Sequence, residues 1–91
     1  MNEEYFSLGR LLATPGAISV LSDAGLTPFT LIARHSACDW EEMDAEDRAL
    51  NRRAIADGSR ILSAFRIGGD RLYVITEWDR SATTVLLARE Y

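Results

Sequence analysis

The sequence is poor in the residues that build covalent and metal-bound sites. It contains one cysteine, Cys38, and one histidine, His35, so it can form neither an internal disulfide nor a cluster of metal-bound thiolates. A glycine-rich phosphate loop, a Gly-x-Ser-x-Gly elbow, a Cys-x-x-Cys pair and a His-Glu-x-x-His zinc motif are all absent from the sequence. We therefore expect a protein that is not an enzyme and that holds no cofactor and no metal.

Long apolar runs are missing as well. No run approaches the roughly 20 residues that a bilayer span requires, and Met1-Asn2-Glu3-Glu4 is acidic where a secretory signal is basic. The sequence therefore predicts a cytoplasmic protein without a membrane partner. Its 91 residues, 47% hydrophobic and 26% charged, are typical of a single globular domain over 1–91. Residues 1–12 are compatible with a loosely packed helical arm, although Gly9 weakens that interpretation.

Charge is unevenly distributed. The net charge is −4, and six carboxylates lie between positions 39 and 47, so the rest of the chain carries a net +2. These six are Asp39, Glu41, Glu42, Asp44, Glu46 and Asp47. The segment has two interpretations: a surface that mimics phosphates and binds a basic protein, or a solvated loop followed by an acidic first helical turn. The overall acidity argues against direct nucleic-acid binding and favours a protein partner, such as a nucleic-acid-binding defence or regulatory protein.

The first half of the chain carries three helix signals. Thr14-Pro15 and Thr27-Pro28 each place a hydroxyl at an N-cap and a proline at the first helical position. These starts predict helices over about 15–23 and 28–37. A third helix is predicted from Asp44 to Gly58, with acidic residues in its first turn and a glycine terminator.

After Gly58 the apolar spacing changes to a period of two. It predicts strands over 60–67, 71–78 and 82–88, with Gly68-Gly69-Asp70 as the first turn. The predicted fold is α+β, with three N-terminal helices on one face of a three-stranded antiparallel meander. Strand parity places a set of mostly apolar residues on one face, which is expected to meet the helices. They are Ile61, Ser63, Phe65, Ile67, Leu72, Val74, Thr76, Trp78, Thr83, Val85 and Leu87.

The opposite sheet face is more apolar than a solvated face requires. It predicts an interface, of which a homodimer is the simplest form. The residues assigned to it are Leu62, Arg66, Tyr73, Ile75, Glu77 and Leu86.

The segment Thr76–Thr84 carries more polar chemistry than a hairpin turn needs. Asp79 and Ser81 are suited to bond nearby backbone N–H groups, and Thr76 and Thr83 are expected opposite each other with Ser63 beside them. A second hypothesis therefore joins this turn to the end of the second helix as a small-ligand or metal-binding pocket. That pocket would be lined by His35, Asp39, Trp40, Asp47, Asn51, Thr76, Trp78, Asp79, Arg80 and Thr83. The competing interpretation is structural: a histidine at a helix end and hydroxyls that close the sheet.

Several segments together resemble a family of short "plasmid-related" proteins of bacterial mobile elements. They are Thr14–Ala17, His35 with Asp39-Trp40, Glu46-Asp47 with Asn51, residues 58–65, residues 74–87 and Glu90-Tyr91. The resemblance covers residues 14–91 and is most specific in the hairpin. The chain departs from the family at Cys38 and Glu41, where glycines are expected, and at Ala88, where a proline is expected.

The resemblance supplies a context but no established activity. It implies an accessory protein of a mobile element that interferes with host defence, as anti-CRISPR or anti-restriction factors do, or that regulates transfer by binding another protein. We therefore predict a non-enzymatic interaction protein, with the ligand-binding pocket as the alternative and a homodimerisation module as a weaker one.

Overall fold

The computed structural model describes residues 5–91 as one α+β fold with three helices and a four-stranded mixed sheet. The helices are α1 (Pro15–Asp23), α2 (Pro28–Ser36) and α3 (Ala45–Asp57). The strands are β1 (Arg10–Ala13), β2 (Ile61–Ile67), β3 (Asp70–Thr76) and β4 (Ala82–Leu87), and a 3-10 helix follows at Ala88–Glu90. Met1-Asn2-Glu3-Glu4, on which the expectation about secretion depends, lies outside the described residues.

The three predicted helices are confirmed, and their ends follow from local chemistry. The Thr14 hydroxyl accepts the Ala17 N–H at the start of α1, and the Asp44 carboxylate accepts the Asp47 N–H at the start of α3. Thr27 occupies the N-cap of α2, but its side chain makes no capping bond. Gly58 ends α3 with φ of 79°, in the left-handed region where glycine is unstrained.

The prediction of a three-stranded antiparallel sheet is wrong. The strand order is β1-β4-β3-β2, with β1 parallel to β4 and the other neighbours antiparallel. Residues 10–13, which the sequence assigned to a helical arm, form this fourth strand. The reason is that β4 would otherwise expose an unpaired edge, and the Arg10 N–H and Thr14 N–H bond the carbonyls of Ser81 and Val85 there. Four residues are too few to show a period.

The predicted placement of Thr76 opposite Thr83 is confirmed. Ile61 pairs with Thr76, Ser63 with Val74 and Phe65 with Leu72 across β2 and β3, and Thr76 pairs with Thr83 across β3 and β4. One sheet face therefore meets α1 and α2. The main core between them contains Ala17, Leu21, Leu31, Ile32, Phe65, Leu72, Val74, Val85 and Leu87.

The third helix does not share that face. It packs along the outer edge of β2, where the side-chain amide of Asn51 donates to the Leu62 carbonyl and its oxygen accepts the Leu62 N–H. A second core of Phe6, Trp40, Met43, Ala54, Ile61 and Ala64 fills the space around that edge. The prediction of three helices on one face is therefore wrong for α3, because Asn51 supplies the pairing that β2 lacks on its free side.

In residues 5–91, no single helix has both the length and the apolar composition needed to cross a membrane; α1 and α2 meet the test only together, as a pair bent by 99°.

Candidate functional site

A chain of buried polar side chains links α2 to the sheet. His35 Nδ1 lies 2.6 Å from Ser63 Oγ, and His35 Nε2 lies 2.8 Å from Thr76 Oγ1. Trp40 Nε1 donates to Ser63 Oγ at 2.9 Å. At the other end, Thr76 Oγ1 lies 2.7 Å from Thr83 Oγ1. The Thr83 hydroxyl continues the chain by donating to the carbonyl of Leu8 at 2.7 Å.

Trp40 can only donate and the Leu8 carbonyl can only accept. For a neutral His35, these two ends determine which group donates in each hydrogen bond between them. The Leu8 carbonyl can only accept, so Thr83 donates to it and must accept from Thr76. Thr76 has then used its proton and accepts from His35 Nε2–H. Because a neutral imidazole carries one proton, His35 Nδ1 accepts from Ser63, whose oxygen accepts the indole N–H of Trp40. The hydrogen bonds therefore place the single proton of a neutral His35 on Nε2.

Burial and hydrogen bonding both oppose a charge on this histidine. His35 is 0% exposed, and the Phe6 ring meets its ring edge-on with centroids 5.2 Å apart. Removal from water lowers the pKa of His35 from 6.5 to about 4. A second ring proton on Nδ1 would also take away the acceptor of the Ser63 hydroxyl proton. Within residues 5–91 no buried side-chain N or O lacks a partner. Every donor and acceptor in this row of hydrogen bonds is therefore satisfied while His35 is neutral.

Some carboxylates of the acidic segment form ion pairs and hydrogen bonds within the fold. Arg34 donates to Asp39 at 2.7 Å and to Glu42 at 3.0 Å, and the first of these bonds holds the pKa of Asp39 below its usual range. The other oxygen of Glu42 accepts the backbone N–H of Arg66. Asp44 caps α3. Glu42 and Asn51 thus close the edge of β2 between them, and Glu41, Glu46 and Asp47 remain exposed to solvent.

The hairpin tip, residues 77–81, is held from two sides. Asp79 accepts the Ser81 N–H, as the sequence predicted, and that contact with Ser81 lowers the pKa of Asp79. Arg80 does not pair with Glu77 or Asp79 through its side chain. Its guanidinium instead donates to three backbone carbonyls, of Ser59, Glu77 and Ala54, and so joins the tip to the end of α3. Arg80 itself has φ of 59°, a conformation that costs a non-glycine residue free energy.

Gly9 clamps the other side of the tip. It has φ of +65°, and a Cβ built there would lie 2.4 Å from the Arg80 carbonyl oxygen and from the carbonyl of Ser81. Only glycine permits this approach. The N-terminal segment and the end of α3 therefore grip the same short turn.

The clamped tip presents one large side chain to solvent. Trp78 is 69% exposed, although strand parity assigned it to the face against the helices. Parity fails there because β3 ends at Thr76 and residue 78 belongs to the turn. Glu77 and Asp79 flank the indole in sequence and are also exposed.

The residues assigned to one pocket are divided by the structure into separate groups. His35, Trp40, Thr76 and Thr83 converge, but in a buried cluster in which only Trp40 retains slight exposure. Asp39 faces Arg34, Asp47 and Asn51 belong to α3, and Trp78, Asp79 and Arg80 form the hairpin tip. An open cleft of about 530 Å³ lies nearby, but of the buried hydrogen-bonded side chains only Trp40 lines it. Its lining residues are Cys38, Asp39, Trp40, Glu41, Arg48 and Arg52. Among the described residues, no group of three or more His, Cys, Asp or Glu side chains is placed to hold a metal ion.

The sheet face opposite α1 and α2, called the outer face below, is partly covered. Of the residues assigned there, Ile75 is buried, and Leu62, Tyr73 and Leu86 are half-buried. Arg66 and Glu77 are exposed. Tyr91 lies against Tyr73, with ring centroids 5.8 Å apart.

Sequence reasoning missed Arg34, Gly9 and Leu8. Arg34 had a detectable signal, since it precedes Asp39 by five positions at a helix end. Gly9 and the Leu8 carbonyl had none, because their partners lie more than seventy positions away.

Comparison of the sequence with protein-family models, with curated proteins and with solved structures gives no match.

Proposed function

We propose that this protein is a non-enzymatic interaction protein that binds a protein partner through the hairpin tip, with Trp78 as the anchoring side chain. The observation that carries the proposal is the exposed indole on a clamped turn. Tryptophan is strongly enriched among the residues that dominate binding energy at protein interfaces. A turn whose backbone is already restrained also loses less conformational entropy on binding than a mobile one.

The restraints on the tip support the same conclusion. Arg80 adopts a strained backbone and donates to three carbonyls, and Gly9 packs against the turn backbone. These contacts restrain the backbone of the turn that carries Trp78 and leave the indole exposed. A turn that served only to connect β3 and β4 would not need an exposed tryptophan.

The charges beside Trp78 favour a basic partner. Glu77 and Asp79 flank the indole, and Asp57 lies close to Arg80 at the end of α3. An arginine or lysine of the partner can contact the indole face through a cation–π interaction while a carboxylate accepts its hydrogen bonds. Basic surfaces of this kind are typical of nucleic-acid-binding proteins. We therefore propose as partner a nucleic-acid-binding defence or regulatory protein.

The mobile-element context is part of this proposal. Position 38, where the plasmid-related family has a glycine, has φ of 57° in this chain. That is the left-handed region that glycine adopts without strain. The backbone at Cys38 is thus compatible with the family pattern although the residue differs, which supports an accessory role in a mobile element.

The test is affinity capture of host proteins with matched variants. Trp78→Ala is expected to reduce capture of specific partners at least tenfold, while Phe29→Ala leaves it unchanged. Phe29 is the matched control because it is a large aromatic residue of almost the same exposure, 68%, on α2. Circular dichroism and thermal unfolding must show that both variants fold. Equal capture by the Trp78 variant and the unmodified protein contradicts the proposal.

The acidic segment is a second candidate surface because three of its carboxylates are exposed and have no structural partner among residues 5–91. Glu41, Glu46 and Asp47 are the residues to reverse, because reversal of Asp44 removes a helix cap and reversal of Asp39 or Glu42 disrupts Arg34. Loss of capture in a Glu41→Lys, Glu46→Lys, Asp47→Lys variant, with capture retained in Trp78→Ala, assigns partner binding to this segment instead of the tip.

A further inference from the structure

The outer face has an apolar centre and arginines at both ends. Strand alternation and register place Arg66 of β2 directly opposite Arg71 of β3 at one end. Arg10 of β1 and Arg60, which precedes β2, lie toward the other end. Between the two ends lie rows that contain Leu12, Leu62, Tyr73, Ile75, Thr84 and Leu86. Glu77 is the one carboxylate that alternation assigns to this face.

These arginines lack carboxylate partners among residues 5–91. The ion pairs found there involve Arg34 and Arg89, and none reaches the four arginines of the outer face. Glu42 lines a cleft at the Arg66 end, but its oxygens bond Arg34 and the backbone N–H of Arg66, and Asp70 at the same end pairs with Arg89. Like charges directly opposite each other on antiparallel strands destabilise a sheet. The Arg66 and Arg71 pair is therefore a cost that an anion on this face would offset.

Two tyrosines accompany the arginines. The guanidinium of Arg71 lies 5.7 Å from the centre of the Tyr73 ring, and that of Arg60 lies 5.2 Å from the centre of the Tyr91 ring. Tyr91 is 59% exposed. A cleft of about 270 Å³ opens between the Tyr73 ring and α3, with Arg60 and Arg71 among its lining residues and Asp47 on its helix side. Flat aromatic surface and unpaired positive charge thus occur together.

The charge pattern opposes a face-to-face homodimer. A two-fold pairing of this face with itself sets arginines against arginines, whether like ends or opposite ends meet. Such like-charge contacts suppress association. The face is complementary to an extended anion instead.

We propose that the outer face binds single-stranded nucleic acid, with phosphates on the two arginine ends and bases stacked on Tyr73 and Tyr91. Proteins that bind single strands without sequence preference combine a positive track for the backbone with aromatic side chains for the bases. The backbone positions of Arg60 and Arg66 are six residues apart, about 20 Å at the rise of a strand, and the Arg60 side chain reaches from its end to the Tyr91 ring. That length accommodates a short run of nucleotides. The net negative charge of the protein argues against nucleic-acid binding, but that charge arises from the segment 39–47 and not from the outer face.

The experiment is fluorescence anisotropy with a labelled 20-residue oligothymidine at several salt concentrations. Each phosphate neutralised on a single strand changes the logarithm of the binding constant by about −0.7 per logarithm of salt. Four arginines therefore give a slope of about −3. Binding that weakens with this slope supports the proposal, and no binding at 100 µM protein in low salt overturns it.

Matched variants locate the site. Arg66→Gln with Arg71→Gln should weaken binding at least tenfold and halve the salt slope to about −1.4. Arg52→Gln with Arg53→Gln removes the same charge from α3, away from the tyrosine rings, and should change binding less than twofold. Equal losses in the two double variants overturn the proposal.

Tyr91→Leu separates stacking from charge. It should weaken binding of the oligothymidine at least fivefold without changing the salt slope. Unchanged affinity in this variant overturns the assignment of bases to the tyrosines. Poly-glutamate of matched length provides the other comparison. If it binds as tightly as the oligothymidine, the face recognises an acidic protein segment, and the nucleic-acid proposal is wrong.

Discussion

Lowering the pH from 7 to 5 should destabilise this protein through His35. The folded-state pKa of about 4 lies below the 6.5 of an exposed histidine, so the unfolded chain binds more protons between those values. The stabilising contribution is fully present above pH 6.5 and is lost as the pH falls toward 4. A difference of one pKa unit corresponds to 1.36 kcal/mol, so the full loss is about 3 kcal/mol, of which about 2 kcal/mol is lost by pH 5.

The assay is urea unfolding followed by tryptophan fluorescence at pH 7, 6 and 5. Trp40 is buried beside Ser63 and reports the state of the polar chain, whereas Trp78 is exposed and adds background. A Trp78→Phe background removes that signal and should change stability by less than about 0.5 kcal/mol, as is usual for a surface position. The carboxylates with lowered pKa titrate below this range, so His35 dominates it.

The control is His35→Gln, which retains an acceptor and a donor but does not titrate in this range. This variant should be less stable at pH 7, because its amide does not reproduce both ring positions, but its stability should vary by less than about 0.5 kcal/mol between pH 7 and pH 5. Equal pH dependence in the unmodified protein and in the His35→Gln variant would refute the assignment of a buried neutral imidazole. So would an NMR spectrum of the unmodified protein showing the proton on Nδ1, because the bond from Ser63 requires that atom to accept.

Three further substitutions test other contacts. Thr83→Val removes the hydroxyl that donates to a backbone carbonyl and should cost about 1–3 kcal/mol in urea unfolding, while Thr83→Ser should cost less than half as much. Gly9→Ala should lower the midpoint of thermal unfolding more than Gly58→Ala, because both positions have positive φ but only Gly9 has neighbouring backbone within 4 Å; equal shifts would contradict the clamp. Asn51→Leu exposes the pairing groups of Leu62 at the edge of β2 and should cost about 1–3 kcal/mol and promote aggregation measured by light scattering; an unchanged scattering signal would show that the edge is protected without the amide.

Local chemistry made the helices and the meander predictable. Thr14-Pro15, Asp44 and Gly58 are start and stop signals that act within a few residues, and the period-two spacing after Gly58 identifies three strands. The pairing of Thr76 with Thr83 followed from parity alone. None of these inferences needed a contact between distant parts of the chain.

The errors of topology involve distant contacts, whereas the misplacement of Trp78 is local, because β3 ends at Thr76. Residues 10–13 become a strand only because β4 offers a free edge, and α3 leaves the helical face because Asn51 completes the edge of β2. The prediction of a single pocket failed for a similar reason, because burial and hydrogen-bond pairing depend on residues far apart in the sequence. Polarity identified His35 and Thr76, but it could not show that their hydrogen bonds are mutually satisfied and that no solvent reaches them.

The pairing of β1 with β4 has a consequence for the order of folding. The hydrogen bond from Thr83 to Leu8 joins residues 75 positions apart, so this contact closes a long loop and carries the entropic cost of doing so. Hairpins β2–β3 and β3–β4 are local and can form without β1. We therefore expect β1 to dock on β4 last. That step completes three features together: the sheet edge, the hydrogen bond from Thr83 to the Leu8 carbonyl and the contact of Gly9 with the turn. A chain that has not yet docked its first strand lacks the contact between Gly9 and the turn that carries Trp78, so the proposed binding surface is complete only when the first and last strands meet.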